Sequence, residues 1–227
     1  MATHSKKREK EKGPKLYEII IGAILSVILG VLLAVVYLAF QEVEEVDQLP
    51  SEEARQARTV YFVEGETGAP GQFNWRPKQG AFEEGRSGTL ELVEQELNQW
   101  VADQFSELED RDYEDEGMFY IAPRTLNFRI DDGKLQLAAD LDWTVFGYSH
   151  SLKTQALGSF VREEGVFVFE PETMYVGGFK LPEPAVLGSA LIRRIVEALN
   201  VSADLRDGWA SLTDVSIEED VLILEIP

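Results

Sequence analysis

The chain has 227 residues, no cysteine and only two histidines, so thiol and imidazole groups for catalysis or metal binding are scarce. The absence of cysteine excludes disulfides, thiol catalysis and cysteine-ligated metal sites. His4 lies near the N-terminus, which leaves His150 as the one histidine of the large C-terminal part. A single histidine makes a zinc site only where several carboxylates converge on it, and the acidic spacing does not indicate such convergence. We expect no metal and no cofactor.

The sequence also lacks the short motifs that mark common enzyme sites. It contains no GxxxxGK[ST], GxGxxG or GxSxG arrangement. Ser149 and Ser151 flank His150, but neighbours on a strand point to opposite faces, so these three residues do not form a catalytic constellation. The sequence therefore predicts that the protein is not an enzyme, and we name no catalytic residue.

Basic residues are few, with 21 Lys and Arg against 41 Asp and Glu. From residue 41 onward the counts are 15 and 38, a net charge of -23. So acidic a domain repels nucleic-acid phosphates, which excludes nucleic acid as a partner. It also repels anionic lipid head groups, except where a basic or apolar patch makes the contact.

What the sequence does contain is one long hydrophobic run near its N-terminus, at residues 16–40. From Ile19 to Phe40 there are 22 residues without a charge, and a helix rising ~1.5 Å per residue needs about 20 to cross the hydrocarbon core. A cleaved signal peptide has a shorter apolar region, of about 7 to 15 residues, followed by a small-x-small site. This run is longer and ends without that site, which favours an uncleaved transmembrane helix.

The charges that flank the run predict its orientation. Residues 1–15 carry six basic and two acidic side chains, whereas Glu42, Glu44, Glu45 and Asp47 follow the run. By the positive-inside rule, the N-terminus stays in the cytoplasm and the C-terminal part is exported. Together with the absence of cysteine, this pattern fits a bacterial envelope protein in the cell inner (plasma) membrane, with a periplasmic or extracellular C-terminal domain.

A stripe of small residues, Gly22, Ser26, Gly30 and Ala34, lies inside the run. Residues four apart share one face of a helix, and small side chains let a second helix approach closely. The stripe is therefore a candidate contact for an envelope protein or a second copy. The alternative is that membrane helices are rich in Gly and Ala for no specific reason.

The remaining chain is divided into a tail at 1–15, a stalk at 41–58 and one exported domain at 59–227. Thr59 to Glu64 has the composition of a strand. The stretch from Gly65 to Gly88 is predicted as a loop, long enough either to be functional or simply to tuck its aromatic residues into the core edge.

Apolar residues at three- and four-residue steps predict an amphipathic helix from about 90 to 108. The acidic run 107–117 follows this helix. Asp110, Asp112 and Glu114 resemble the start of a calcium loop, but Asp115 and Ile121 stand where that loop needs Gly and Glu. We therefore interpret the run as a solvated acidic loop.

From Ile121 onward the apolar period is two, which predicts strands. Asp132-Gly133 indicates a hairpin turn, a third strand runs from Tyr148 to Val161, and Glu163-Glu164-Gly165 turns the chain again. The next strand contains Val166-Phe167-Val168-Phe169, which is apolar on both faces and should be covered on both sides or line something.

The last third predicts a second amphipathic helix at about 185–199 and a final hairpin of Trp209–Ile217 with Val221–Ile226. The order of elements predicts an α+β fold. In full, we expect an N-terminal transmembrane helix followed by a mostly antiparallel curved sheet packed with two amphipathic helices.

Several short phrases are similar to those of YpmS-type bacterial envelope proteins. They are Glu96-Leu97-Asn98, Leu126-Asn127-Phe128-Arg129-Ile130, the GGFKLP connection at 177–182 and the terminal hairpin. The resemblance covers about residues 88 to 227 and implies a single-pass anchor and an exported domain similar to half of a tubular lipid-binding (BPI-like) module. Lipid handling is likewise an implication of the resemblance.

Two hypotheses for function follow. In the first, the exported domain binds a lipid or another apolar ligand in a groove, with these candidate walls: Val145, Tyr148, Val166, Phe167, Val168, Phe169, Leu187, Leu191 and Ile195. In the second, the protein is a scaffold or assembly factor that acts through the transmembrane stripe and the acidic surface. An open groove of ligand size favours the first hypothesis, and a filled core favours the second.

Overall fold

The computed structural model of the chain describes residues 16–41, 43–69, 73, 75–109, 119–145, 148–182, 184–198 and 201–227. The helices are α1 (Leu16–Ala39), α2 (Trp75–Glu83), α3 (Glu94–Glu109), α4 (Pro184–Ala198) and α5 (Ala203–Ser211). The strands are β1 (Glu44–Glu45), β2 (Tyr61–Phe62), β3 (Gly88–Val93), β4 (Phe119–Asp131), β5 (Lys134–Val145), β6 (Tyr148–Glu163), β7 (Val166–Val176), β8 (Phe179–Lys180), β9 (Asp214–Glu218) and β10 (Val221–Ile226). The predicted α+β class with an apolar N-terminal helix is confirmed.

The chain divides into two compact units, Met1–Leu38 and Ala39–Pro227. Helix α1, which lies in the first unit except for its last residue, contains a span from Tyr17 to Ala39 with a mean hydropathy of 3.1 and no buried residue. Within the described part of the chain, it is the one helix long and apolar enough to cross a membrane. Exposing so much apolar surface to water is unfavourable, so the helix fits a membrane anchor or a signal sequence.

The second unit is built on a five-stranded antiparallel sheet with the order β4-β5-β6-β7-β8. Asp132 and Gly133 both have positive φ, at 50° and 70°, and Glu164 and Gly165 repeat that pattern at 50° and 93°. Such two-residue turns match the twist of antiparallel strands. The meander and both of these turns were predicted correctly, because alternation and turn residues agree along this stretch.

A second antiparallel sheet has the order β3-β10-β9, and it corrects the prediction of a helix from residue 90. Leu90 and Val93 lie in β3, where they pair with Leu224 and Val221 of β10, and α3 begins only at Glu94. The apolar spacing of this stretch suits either structure, and the partner strand decides between them.

The final hairpin is shorter than predicted. Trp209 lies on α5 and not on a strand, and β9 begins at Asp214. Ser202 caps α5, since its hydroxyl accepts a hydrogen bond from the Leu205 N–H at 3.2 Å. This cap provides an acceptor for one of the free N–H groups of the first turn and so favours a helix there.

The stretch from Gly65 to Gly88, predicted as a loop, contains α2. Trp75 and Phe82 are buried on this helix, in agreement with the alternative that its aromatics pack at the core. The predicted strand at 59–64 shrinks to β2, which pairs in parallel with β1.

The main core lies where the two sheets meet α3 and α5. Its buried members are Phe82, Leu97, Ile130, Leu135, Phe167, Leu212, Val215, Leu222, Leu224 and Ile226. Two smaller clusters lie where α4 packs on the five-stranded sheet. The apolar residues of the strands are thereby removed from water, which is the main favourable term in folding.

Candidate functional site

The α4 side of the five-stranded sheet, where we expected a groove, is packed. Ile195 is 2% exposed and contacts Ala139 and Leu141 of β5. Leu191 is half-buried against both of the small clusters. These two candidate wall residues therefore attach α4 to the sheet.

The approach of α4 to the sheet is close near its N-terminal end as well. A Cβ at Gly188 would lie 2.8 Å from Met174 Sδ and 2.9 Å from Pro171 Cγ, so glycine lets the helix backbone lie directly on β7. Ile192 is buried against Met174 and Ala156. Among these described residues, protein side chains fill the space between helix and sheet.

The two faces of β7 have different surroundings. Phe167 is buried in the main core, and Phe169 packs against it. Trp209 of α5 donates its indole N–H to the Phe167 carbonyl oxygen at 2.7 Å. Val166 and Val168 lie on the opposite face and line an open depression together with two glutamates of the β6–β7 turn. The first residues of β7 are thus covered on one face and open on the other.

The remaining candidate wall residues lie apart from these. Tyr148 is 77% exposed at the start of β6, and Leu187 is 53% exposed on α4. Val145 ends β5, and its side chain lies outside the described part. The structure does not bring the eight candidates whose side chains it describes together around one cavity.

The opposite face of the sheet is covered by the segment predicted as a stalk and by the strand that follows it. Lys153 of β6 bonds Glu45 at 3.0 Å and Asp140 of β5 at 3.1 Å, and its ammonium lies 4.4 Å from the Phe62 ring centroid. Partial burial by itself lowers the pKa of Lys153, but hydrogen bonds to the two carboxylates outweigh it, so the pKa is raised. These contacts fix the chain around β1 and β2 on the sheet.

A polar contact that sequence analysis missed lies between α3 and the free edge of β4. Asn98 is 4% exposed. Its amide donates to the Phe128 carbonyl oxygen and accepts from the Phe128 N–H, each at 2.7 Å. Glu94 accepts the Ile130 N–H at 2.7 Å. An uncovered strand edge is a pairing hazard, and here helix side chains cover it.

Asn98 also donates to the Glu66 carbonyl oxygen at 3.0 Å. Asn127 of β4 accepts the Gly65 N–H at 2.7 Å. Both asparagines belong to the phrases that carry the resemblance, so those phrases have a structural role here: they hold the chain after β2 against α3 and β4.

The start of β6 meets the residues that follow the apolar span. The Phe40 ring packs edge-on against the His150 ring, with centroids 4.9 Å apart. Gly177, in the β7–β8 turn, has φ 54°, and a Cβ there would lie 1.8 Å from the Ala39 carbonyl oxygen. Only glycine permits so close an approach. Ala39, Phe40 and the sheet belong to the same compact unit.

In α1, the Ser26 hydroxyl of the small-residue stripe donates to the Gly22 carbonyl oxygen at 2.8 Å. Outside the backbone of the helix itself, a Cβ at Gly22 or Gly30 would meet no atom within 4 Å. The side chain of Ala34 is exposed. The glycine positions of the stripe are sterically open to a neighbouring helix.

The titratable residues were examined as possible catalytic or metal-binding groups, beginning with the one histidine of the folded domain. His150 is exposed. Within the described ranges, no three His, Cys, Asp or Glu side chains are grouped so that they could hold a metal ion. The acidic run at Asp110, Asp112 and Glu114 lies outside those ranges.

Comparisons with protein-family models, with curated proteins and with solved structures found no match to this chain.

Proposed function

We propose that this chain is a single-pass plasma-membrane protein of a bacterial envelope and acts as a non-enzymatic scaffold or assembly factor. In this proposal α1 is an uncleaved signal anchor, the N-terminus is cytoplasmic and the domain from Ala39 is periplasmic or extracellular. The domain binds no metal or cofactor and no nucleic acid. Its partner is an envelope protein or a second copy of the chain.

The observation that carries the proposal is the packed interior under α4. Ile195 and Ile192 are 2% and 7% exposed, and Gly188 lets the helix touch β7. Ligand pockets are usually largely pre-formed. A domain that has filled this space with its own side chains offers its surface, and not its interior, for binding.

The proposal includes the finer architecture that the sequence predicts. The five-stranded sheet is curved, and α3 and α4 pack on it through apolar faces, as in half of a tubular lipid-binding module of the YpmS type. The buried Leu97 of α3 and Ile195 of α4 support this arrangement.

The proposal also includes a contact within the membrane, made by the small-residue stripe of α1. In lipid, helices associate by close packing of small residues, because apolar side chains gain nothing by leaving the hydrocarbon. Replacing Gly22, Ser26, Gly30 and Ala34 by leucine should block that approach. We expect the crosslinked partner, whether a second copy or another envelope protein, to be recovered several-fold less from intact membranes.

The matched control is Val35→Leu, which adds bulk on the opposite side of α1. It should leave recovery of the crosslinked partner unchanged. Equal recovery with the stripe variant and with the control would remove the helix contact from the proposal. Recovery of the chain itself in the membrane fraction shows that both variants insert.

A second candidate function is binding of a lipid or other apolar ligand at the surface. It is favoured by the exposed apolar side chains of α4, since Leu187 is 53% and Val196 46% exposed. Val166 and Val168, on the face of β7 opposite to Phe167, give a separate apolar floor to the open depression there. A ligand there would lie on the domain and not within it.

A further inference from the structure

We propose that the 51–58 loop, in the connection between β1 and β2, is a processing site for an endopeptidase that cuts after arginine. Water hydrolyses the peptide bond after Arg55 or Arg58, which leaves a carboxylate on the arginine and a free amino group on the next residue. The cut separates α1 from the five-stranded and three-stranded sheets and so releases a folded domain. The inference rests on the proposed function only in taking α1 as an uncleaved anchor.

The 51–58 loop is exposed and is held by local contacts. All eight residues are exposed, and none of them lies in a helix or a strand. Within the described part of the chain, their hydrogen bonds join residues no more than five positions apart. The longest reach is that of the Gln56 N–H, which bonds the Tyr61 hydroxyl at 2.9 Å. A segment held so locally opens at low cost, and exposed loops are the preferred sites of proteolytic nicking.

Both arginines of the loop are available to a protease. Among the ion pairs of the described residues, none includes Arg55 or Arg58. Arg58 has a φ of 71°, in the left-handed region that non-glycine residues rarely adopt. Binding in an extended conformation, as proteases require of a substrate, relieves this strain. Four of the eight side chains are charged, so the loop stays in water.

The chain that follows the loop is held firmly on the domain. The amide of Gln155 on β6 donates to the Tyr61 carbonyl oxygen at 3.1 Å. The amide of Gln136 on β5 donates to the Val63 carbonyl oxygen at the same distance. Phe62 and Val63 are both buried. A cut in the loop therefore leaves β2 attached to the sheet that it covers.

The chain that precedes the loop is held by fewer bonds. Glu44 and Val46 donate their N–H groups to carbonyl oxygens at and next to β2, each at 2.9 Å. Glu45 adds the ion pair with Lys153, and residues 39–40 add contacts with the sheet. A cut turns these into contacts between two separate chains, which lose the high effective concentration that the covalent link provides. Salt weakens the ion pair further.

The test uses the full chain in phosphatidylcholine nanodiscs, treated with a small amount of an arginine-specific endopeptidase in high salt. Protein that leaves the discs is separated by size exclusion, its N-terminus is identified by mass spectrometry, and its unfolding in urea is followed. We expect the first released product to begin at Gln56 or Thr59, to extend to Pro227 and to unfold cooperatively.

The double variant Arg55→Gln with Arg58→Gln should slow release by roughly tenfold or more, because cleavage of a folded chain follows the population of open segments. The control is Arg86→Gln. Arg86 is also exposed, but its N–H bonds the Ala81 carbonyl oxygen at 2.9 Å and it lies two residues before β3. This variant should release the domain at the original rate.

A first cut outside the loop, or unchanged release from the double variant, would overturn the processing site. A chain that is cut in the loop but stays on the discs, or a released product without cooperative unfolding, would overturn the release of a folded domain. Uncut chain found free of the discs would instead contradict the membrane anchor of the proposed function.

Discussion

Replacing Asn98 with alanine is expected to lower the free energy of unfolding of the domain by about 3 kcal/mol, since it leaves buried polar groups unpaired. The amide of Asn98 holds both the N–H and the carbonyl oxygen of Phe128 at the outer edge of β4. Alanine cannot replace either bond, and the site is too buried for water to do so freely. Urea unfolding of the full chain in detergent, followed by tryptophan fluorescence, measures the change.

The control for Asn98 is Gln95→Ala, one turn earlier on α3. Gln95 makes a single exposed hydrogen bond to the Glu66 carboxylate at 2.7 Å, so its loss should cost less than about 0.5 kcal/mol. Asn98→Asp keeps the acceptor for the Phe128 N–H but loses the donor, and should be destabilised as well. If Asn98→Ala matched Gln95→Ala, the amide would not be what covers the strand edge.

Replacing Ile195 with alanine should cost about 2 to 5 kcal/mol of unfolding free energy, because it leaves a cavity in a filled core. Ile195 is 2% exposed between Ala139 and Leu141. If this residue lined an open groove, its side chain would face ligand or water, and shortening it would cost little. The same urea titration distinguishes the two arrangements.

Leu187 provides the comparison on the same helix. It is 53% exposed, and Leu187→Ala should change stability by no more than about 0.5 kcal/mol. Similar small losses of unfolding free energy at both positions would indicate that α4 does not pack tightly on the sheet. That result would favour a lipid-binding groove over a scaffold.

How far the sequence predicts this fold depends on whether local and tertiary signals agree. Around Asp132-Gly133 and Glu164-Gly165 they do, so the long antiparallel strands were identified with the right turns. At Leu90 to Val93 the local pattern suits both a helix and a strand, and the pairing with β10 decides. The apolar spacing of residues 90–93 does not show that β10 will pair with them.

The candidate site was less predictable for a similar reason. The sequence shows that Val166 to Phe169 is apolar on both faces of a strand, but not what covers each face. Trp209 was assigned to a strand, whereas on α5 it packs on Phe160 and bonds the carbonyl oxygen of Phe167. Which apolar surface is filled depends on contacts between residues about 40 positions apart.

The hydrogen bonds from α3 side chains to the edge of β4 are the least predictable feature from the sequence. Asn98 is a polar residue on a helix, and its residue type alone does not indicate burial. The spacing of Glu94 and Asn98, four residues apart on one face of α3, is the signal that could have found it, because both bond the edge of β4.

The central claim is that the apolar interior of the domain is filled and that α1 makes the contact with lipid. Photoactivatable fatty acids supplied to membranes containing the full chain, followed by mass spectrometry of the crosslinked peptides, test it most directly. We predict crosslinks in α1, and none at Phe167 or Ile195. Crosslinks at Ile195 would show lipid between α4 and the sheet, and crosslinks at Phe167 would show lipid in the main core. Either result would contradict the account.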